Sequence, residues 1–308
     1  MLKQGIMNKG MNAILLSAGM GNRMKPITEH IPKALLQIVD FRLIDYNIAR
    51  LFDIGIKQIG INLFHKAGVI REHLEKSSEN LYMVTEPNLK GTGGALVNFK
   101  DFIRGDFIFY SCDVLADIDL AEVIELHLTR KPAATIVLLN NDGANIIGID
   151  NEHRIKEITR NSDDTFYDFA GIAVFSERIF SYLPKKETFN IVEVWTRMLE
   201  NGEYLLGVPK KMNWYNINSP DTYWQVHYDL LIDKVVVGGH GFDSSFYIDP
   251  TSRVKTTSLD GFVSVGPNCT ISDQVALTNT VVLGNSAIGD GEYMNCLLSD
   301  MFCIEINH

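Results

Sequence analysis

The sequence is poor in the residues that build disulfide frameworks and zinc sites. It has four cysteines among 308 residues (Cys112, Cys269, Cys296 and Cys303). None of them stands in a Cys-x-x-Cys pair, so their spacing predicts neither kind of site. We interpret them as buried thiols of a reducing compartment, which predicts a cytoplasmic protein. The eight histidines form no i, i+4 pair, which argues against a His-rich metal site.

Long apolar runs and an excess of positive charge are lacking as well. No run approaches the ~18 residues that a membrane span needs, so we expect no membrane partner. The apolar run at residues 13–16 is too short for a signal peptide, and we interpret residues 1–11 as an extension ahead of the first strand. A net charge of −10 argues against a nucleic-acid partner, because phosphate backbones require clustered Lys and Arg.

What the chain does contain is a regular alternation of strands and helices over its first 140 residues. A buried strand is predicted at residues 12–17, and further strands are predicted at residues 58–63, 81–85, 106–111 and 134–139. Helices are predicted at residues 43–52, 69–74 and 120–128, and later at 191–200 and 220–232, while residues 91–102 are predicted as a glycine turn that opens a helix. This alternation predicts an α/β fold, with a mainly parallel sheet and helices on both of its faces.

The texture of the sequence changes after a cluster of glycines at Gly238, Gly239 and Gly241, which predicts a domain boundary between residues 237 and 238. Beyond it, aliphatic residues recur in two interleaved series with a step of six: Val265, Ile271, Leu277 and Leu283, and Val263, Cys269, Val275, Val281 and Ala287. This period predicts a short left-handed β-helix of hexapeptide repeats at residues 238–308, whereas an ordinary β-meander would alternate with a period of two. The end of so short a helix would pack on another surface, so we expect a homo-oligomer.

The most informative segment is residues 15–38, LLSAGMGNRMKPITEHIPKALLQI. Gly19 and Gly21 follow the first strand, where a glycine backbone can approach phosphate oxygens closely. Two such glycines alone are weak evidence. Met24 stands where a dinucleotide fingerprint has its third glycine, and no Gly-Lys-Ser/Thr follows as in a P-loop, so both readings are rejected.

Arg23 and Lys33 make this segment specific. With the glycines, prolines and threonine around them, they resemble the sugar-1-phosphate nucleotidyltransferase family, whose motif is GxG(T/S)R(L/M)xPLT followed by PKxLL. The resemblance spans roughly residues 12–232 and implies a Rossmann-like nucleotidyltransferase domain at residues 1–237. It also implies that Ala18, Gly19, Gly21 and Asn22 contact the nucleotide, while Arg23 and Lys33 are catalytic groups that stabilise the departing pyrophosphate.

Further segments agree with this resemblance. Residues 86–96 (EPNLKGTGGAL) are similar to the family's second loop, which implies nucleotide contacts at Glu86, Gly91, Thr92 and Gly94. Residues 111–120 (SCDVLADIDL) are similar to GDVLxDxDL, which implies that Asp113 is a catalytic ligand of Mg²⁺; a helix-cap or turn aspartate is the alternative. The segment around Gly171 resembles the lining of the sugar pocket, and residues 214–223 (WYNINSPDTY) resemble WxDIGTPxxY, which places Asn216 at the sugar-phosphate and metal site.

Departures from the family pattern bear on activity. Asn22 replaces a hydroxyl residue, and Arg160 and Asn161 stand where many members have Glu-Lys-Pro. Asn216 replaces the second metal-binding aspartate, and a neutral amide is a weaker ligand for a hard divalent cation. We therefore expect weakened metal affinity or slow turnover.

The resemblance implies transfer of a nucleoside monophosphate from a nucleoside triphosphate to a sugar 1-phosphate, with Mg²⁺ as cofactor and pyrophosphate as second product. The PKALL variant, residues 62–70 and the β-helix favour the mannose-1-phosphate guanylyltransferase-like branch; UTP- or dTTP-using enzymes of glucose 1-phosphate come next. A weakened or inactive regulatory subunit that binds a nucleotide sugar is the alternative, and an unrelated α/β protein is a third. The sequence determines neither the base nor the sugar, and neither the oligomeric state nor an effector.

Overall fold

The computed structural model describes residues 10–77, 80–140, 146–159 and 166–306, so Arg160 and Asn161 lie outside the described residues. The chain divides into two compact units. The first unit comprises Met1–Gly19, Asn47–Val114 and Ile118–Met212, and the second comprises Met20–Tyr46, Leu115–Asp117 and Asn213–His308. The predicted boundary between residues 237 and 238 stays a prediction.

The helices of the described residues are α1 (Ile27–His30), α2 (Leu43–Asp53), α3 (Ala67–Leu74), α4 (Gly91–Gly94), α5 (Leu120–Arg130), α6 (Ile191–Glu200) and α7 (Pro220–Leu231). Short 3-10 helices span Asn22–Met24, Lys33–Leu35, Ala95–Phe99 and Glu177–Tyr182. The strands are β1 (Asn12–Leu16), β2 (Gln37–Ile38), β3 (Phe41–Arg42), β4 (Ile59–Leu63), β5 (Leu81–Thr85), β6 (Phe107–Ser111), β7 (Val114–Ala116), β8 (Ala134–Leu139), β9 (Ile147–Ile149), β10 (Ile155–Ile158), β11 (Phe166–Phe175), β12 (Leu205–Pro209), β13 (Trp214–Asn216), β14 (Phe246–Ile248), β15 (Arg253–Val254), β16 (Ser258–Val265), β17 (Thr270–Ile271), β18 (Val275–Val282), β19 (Ala287–Ile288), β20 (Gly291–Leu298) and β21 (Cys303–Glu305). Within this part of the chain, no helix is both long and apolar enough to cross a membrane.

The first unit is built on a mixed, mainly parallel sheet. Its described strands run in the order β10-β9-β11-β6-β1-β4-β5; β8 also pairs with β11, and β12 pairs with β8. β1 pairs in parallel with β4 and β6, and β4 pairs in parallel with β5. The long strand β11 runs antiparallel to β6, β8 and β9. Since β5, β4, β1 and β6 are adjacent and parallel, their carboxyl ends meet at one edge of the sheet.

A buried cluster of aromatic and aliphatic side chains supports this sheet. Phe107, Phe109 and Phe175 lie in it with Trp195 of α6, and all four side chains are buried. The apolar stripe of α6 begins behind a capping box, in which Asn190 accepts from the Glu193 amide and the Glu193 carboxylate accepts from the Asn190 amide. This cap fixes where α6 begins, and therefore also the course of the segment that precedes it.

In the second unit, residues 20–46 pack in one core with the C-terminal coils. Met24, Leu36, Leu43 and Trp224 share a buried cluster with Phe262 of β16. The Trp224 indole Nε1 donates a hydrogen bond of 2.8 Å to the backbone oxygen of Asn279 in β18. Helix α7 thus packs on the coils through both apolar and polar contacts.

The C-terminal strands form parallel ladders consistent with a β-helix. β14, β16, β18 and β20 stack in parallel, as do β15, β17 and β19, and the last strand β21 runs antiparallel to β20. The predicted period is wrong at one position. Ala287 is exposed and Ile288 is buried, because Ile271 pairs with Ile288, 17 residues later and not 18.

Residues 91–102, predicted as a glycine turn that opens a helix, also differ from the prediction. They contain one α-helical turn, α4, followed by a 3-10 helix over Ala95–Phe99. Gly91 has a left-handed φ of 76° and three of the four residues of α4 are glycines, so this segment is a poor helix former that follows the backbone it packs on.

Candidate functional site

The ends of the parallel strands carry several of the predicted site residues of the first unit. Ala18 and Gly19 follow β1, Glu86 follows β5, and Asp113 follows β6 at two residues' distance. In open α/β sheets, ligands bind beside the carboxyl ends of the strands. The contacts around each residue show whether packing within the protein explains the residue type found there.

Gly19 is the predicted glycine that the fold does not require. It is exposed, and an added Cβ would meet no heavy atom of the described residues within 4 Å. Its φ lies outside the left-handed region. The preceding residue, Ala18, is buried. Gly19 is therefore the first exposed residue after β1.

Gly21, in the second unit, is required by its neighbours. It has a φ of 64°, and an added Cβ would lie 2.6 Å from Thr28 Cγ2. The Thr28 hydroxyl donates a hydrogen bond of 2.8 Å to the Gly21 backbone oxygen. The threonine of the sequence motif therefore anchors this turn, from which the 3-10 helix with Asn22 and Arg23 begins.

The two predicted catalytic cations both lie on short 3-10 helices of the second unit. Arg23 is exposed, and within the part of the chain that the structure describes its guanidinium makes neither a hydrogen bond nor an ion pair. Lys33 is half-buried and opens the helix Lys33–Leu35 directly after Pro32. An exposed cation without a protein partner is available to an anion.

The second glycine loop is packed against the segment before α6. An added Cβ at Gly91 would lie 2.6 Å from the Phe189 backbone oxygen, and one at Gly93 would lie 2.6 Å from the Asn190 backbone oxygen. The amides of Gly93 and Gly94 both donate to the Phe189 oxygen, at 3.1 and 3.0 Å. These glycines are explained by backbone packing.

Thr92 takes part in the same packing. Its hydroxyl oxygen accepts a hydrogen bond of 3.0 Å from the amide of Ile191, the first residue of α6. The hydroxyl proton is not used in this bond. The predicted nucleotide contacts at Gly91, Thr92 and Gly94 stay predictions.

Glu86 lies at the centre of a buried hydrogen-bond network. Its Oε1 accepts from Asn62 Nδ2 at 2.9 Å and from Asn98 Nδ2 at 3.0 Å, and its Oε2 accepts from the Lys90 amide at 3.2 Å. Asn62 Oδ1 accepts from the Ser17 amide at 2.9 Å, and Lys90 Nζ donates to Asn98 Oδ1 at 2.7 Å. Neither Asn62 nor Asn98 was predicted as a site residue; the signal that could have revealed Asn62 is a polar residue within the fully buried strand β4.

Asp113 is half-buried, and its backbone surroundings are tightly held. The Cys112 amide donates to the Leu16 oxygen at 2.9 Å, and the Cys112 oxygen accepts from Asn47 Nδ2 at 2.9 Å. Gly171 of β11, with a φ of 81°, lies alongside; an added Cβ there would be 2.7 Å from Val114 Cγ2. Gly171 therefore makes room for the turn that carries Asp113.

Asn216 ends β13 in the second unit, which pairs with β7. The preceding Tyr215 hydroxyl donates to Asp229 Oδ2 of α7 at 2.7 Å; burial and this carboxylate raise the pKa of Tyr215 above its usual range. Asn216 Oδ1 is buried and has no hydrogen-bond partner among the described residues. A buried acceptor without a donor destabilises the folded protein, so we expect this oxygen to contact a bound ligand or ion.

An unpartnered amide oxygen fits Mg²⁺, which takes oxygen ligands and is typically bound by one or two carboxylates together with water and phosphate oxygens. The described residues contain no group of three or more His, Cys, Asp or Glu side chains suited to a metal ion. The unpartnered amide oxygen of Asn216 thus suits a cation that is held largely by its substrate.

Comparison with known proteins places these features in a family. The profile described as "Nucleotidyl transferase" matches residues 12–232. The UTP–glucose-1-phosphate uridylyltransferase of Synechocystis sp. is 22% identical, over 96% of this chain and 89% of the relative. The mannose-1-phosphate guanylyltransferase of Mycobacterium tuberculosis is 24% identical, over 71% of this chain and 64% of the relative.

A solved structure of HddC from Yersinia pseudotuberculosis, complexed with GMP-PN, has the same fold. It covers 70% of this chain and 97% of its own, at 20% identity and a TM-score of 0.58. Because the family profile extends from β1 through α7, the chain belongs to the nucleotidyl transferase family, the sugar-1-phosphate nucleotidyltransferases.

Proposed function

We propose that this protein transfers a nucleoside monophosphate from GTP to mannose 1-phosphate, giving GDP-mannose and pyrophosphate. A phosphate oxygen of the sugar 1-phosphate attacks the α-phosphorus in line, and the bond from the α-phosphorus to the α,β-bridging oxygen breaks. The electron pair leaves with pyrophosphate. A phosphate monoester oxygen is an adequate nucleophile, so no general base is needed.

The observation that carries the proposal is the exposed Gly19, whose missing side chain is not explained by packing against any of the described residues. A backbone that passes a phosphate closely explains a glycine there. In this proposal Ala18, Gly19, Gly21 and Asn22 contact the phosphates, and Arg23 and Lys33 neutralise the charge on pyrophosphate. Positioning and electrostatic stabilisation are the main means of catalysing phosphoryl transfer.

Members of this family are typically Mg²⁺-dependent, and we propose Asp113 and Asn216 as the protein ligands. When bound, Mg²⁺ lowers the negative charge on the phosphate oxygens. Asp113 would contribute charge, and Asn216 would contribute a neutral carbonyl oxygen. Because the amide lacks a charge, we expect weaker metal affinity than with a second carboxylate.

The choice of base and sugar rests on relatives and on sequence. A mannose-1-phosphate guanylyltransferase is among the relatives, and the HddC structure contains a guanine nucleotide analogue. The uridylyltransferase relative supports UTP and glucose 1-phosphate as the second choice, with dTTP after it. Gly171 and Asn216 are the proposed contacts of the sugar phosphate.

One observation favours a second candidate function. Asn216 is neutral at a position where the family pattern has a metal-binding aspartate, and this favours a weakened or inactive subunit that senses a nucleotide sugar. The retained Arg23, Lys33 and Asp113 favour the enzyme.

Pyrophosphate release separates the two functions. The protein is incubated with Mg²⁺, a panel of nucleoside triphosphates and a panel of sugar 1-phosphates. The enzyme is expected to release pyrophosphate, fastest with GTP and mannose 1-phosphate. No release with any pair, together with a higher melting temperature in the presence of nucleotide sugars, would favour the sensor.

Asn216→Asp tests the metal argument. We expect the variant to reach half-maximal activity at about tenfold lower Mg²⁺, since a carboxylate replaces an amide. Asn213→Asp adds the same charge at a neighbouring exposed position and serves as the control. An equal response of both variants would indicate an effect of net charge alone.

We also propose a homo-oligomer formed through the coils. On the edge strand β14, the residues Phe246 and Ile248 are 40% and 39% exposed. Uncovered apolar edge strands invite pairing. Light scattering of the wild type and of Phe246→Lys would test this, since the substitution should shift the protein toward the monomer.

A further inference from the structure

The carboxyl ends of three neighbouring strands are joined by side-chain hydrogen bonds. Asn62, in β4, uses both ends of its amide: Oδ1 accepts from the Ser17 amide after β1, and Nδ2 donates to Glu86 after β5, each at 2.9 Å. Ser17 leads into Gly19. Glu86 in turn accepts from the Lys90 amide, directly before the second glycine loop.

This connection is buried and directional. Asn62 and Glu86 are each 3% exposed. Buried polar groups are costly when a partner is lost, so a network of this kind specifies one geometry. The amide of Asn62 is rigid and planar, and its two bonds fix the Ser17 backbone relative to the Glu86 carboxylate.

The two loops that this connection joins have different proposed tasks. In the proposed function the backbone at Gly19 contacts the phosphates, and the family resemblance implies that the loop Gly91–Gly94 contacts the base and ribose. A nucleotide engages both only when their separation matches the ligand. Two linked moieties bind much more tightly than either alone, and the gain disappears when the geometry forbids simultaneous engagement.

We propose that Asn62 is a positioning residue that sets the separation between the phosphate-contacting and base-contacting loops of the first unit. It acts through Ser17 and Glu86 and needs no contact with the substrate itself. The proposal rests on the proposed function, because it assumes that the ligand is a nucleoside triphosphate.

The test compares a linked ligand with its parts. Dissociation constants of GTP, inorganic tripolyphosphate and guanosine are measured by calorimetry for the wild type and for Asn62→Leu. The proposal expects GTP to bind at least about tenfold more weakly to the variant, while each part alone changes less than about twofold. Equal weakening of all three ligands, or no weakening, would overturn the proposal.

Asn98→Leu is the matched control. It removes another donor from the same Glu86 Oε1 but leaves the bond between Ser17 and Asn62 in place. The variant should lose comparable stability, yet GTP and its parts should weaken by similar factors. If Asn98→Leu weakened GTP binding relative to the binding of tripolyphosphate and guanosine as strongly as Asn62→Leu does, a specific role for Asn62 would be excluded.

Asn62→Asp provides a second test of the proposal if Asn62→Leu does not fold. Its two oxygens retain the acceptor for Ser17 but place an oxygen against Glu86 Oε1, so the two carboxyl groups repel each other until they share a proton. The other charged side chain of this network is Lys90, whose Nζ donates to Asn98, which in turn donates to Glu86. We expect weak GTP binding at pH about 8 that recovers toward pH about 5.5, relative to the wild type.

A pH-independent defect of Asn62→Asp would count against the proposal. If the wild type binds GTP and the variants show no difference between linked and unlinked ligands, only this inference fails. If the wild type binds no nucleoside triphosphate, the proposed function fails and this inference fails with it.

Discussion

The two glycine-rich loops use the same residue for different physical reasons. In the second loop, Gly91 and Gly93 lie so close to the backbone oxygens of Phe189 and Asn190 that a Cβ would overlap them at 2.6 Å. In the first loop, Gly19 has no such neighbour among the described residues. The second loop needs glycine in order to pack, and the first loop has a glycine that packing does not explain. An unexplained glycine at a strand end is therefore the better indicator of a ligand.

The largest effect is expected from Gly93→Ala. Its φ is ordinary, so the loss comes from steric clash without backbone strain: the added Cβ would overlap the Asn190 backbone and the Phe189 ring, and neither backbone can move without breaking the bonds to Phe189. We expect a loss of about 3 kcal/mol in the free energy of unfolding, measured with urea. Gly68→Ala in α3 is the control, since its Cβ would meet nothing within 4 Å of the described atoms. If Gly93→Ala left the free energy of unfolding unchanged, the second loop would not need glycine for packing, and the two loops would not differ in this respect.

A smaller loss is expected from Gly21→Ala in the first loop. The left-handed φ of 64° costs an alanine about 1–2 kcal/mol. The added Cβ also approaches Thr28 Cγ2, so Thr28→Ser should recover part of the loss while keeping the hydroxyl that bonds to Gly21. A double-mutant cycle measures this coupling. Strict additivity of the two changes would show that Thr28 does not shape the turn.

The smallest effect is expected from Asn190→Ala, which removes the cap of α6. Loss of such a cap costs about 1 kcal/mol. Since the second loop bonds to this segment, amide exchange at Gly93 and Gly94 should accelerate, while exchange at Gly19 should not change. Asn190→Asp retains the capping oxygen and should behave like the wild type. Equal acceleration in both loops would contradict their independence.

The sequence predicted long elements well, because hydrophobic periodicity determines them. The helix predicted at residues 191–200 is confirmed as Ile191–Glu200, and the strand predicted at 134–139 is confirmed as Ala134–Leu139. The mainly parallel α/β fold and the parallel C-terminal coils are confirmed too. These features depend on local patterns of apolar residues, which a sequence displays directly.

What the sequence did not reveal depends on pairing between distant segments. The inward position shifts from Ala287 to Ile288 because a coil at that point has 17 residues, and this register is set by the neighbouring strand. The network of Asn62, Glu86 and Asn98 joins residues up to 36 positions apart, so the sequence does not show that they bond to one another. The packing of Gly93 on Asn190 spans an even longer separation.

Gly19→Ala tests the central claim most directly. The variant should unfold at the same urea concentration as the wild type, because the new methyl group has free space around it. Calorimetric titration with GTP and Mg²⁺ should nevertheless give binding at least about tenfold weaker, since the methyl group would occupy the place of a phosphate oxygen. Unchanged GTP affinity in an equally stable variant would contradict the claim that phosphate is bound at the end of β1.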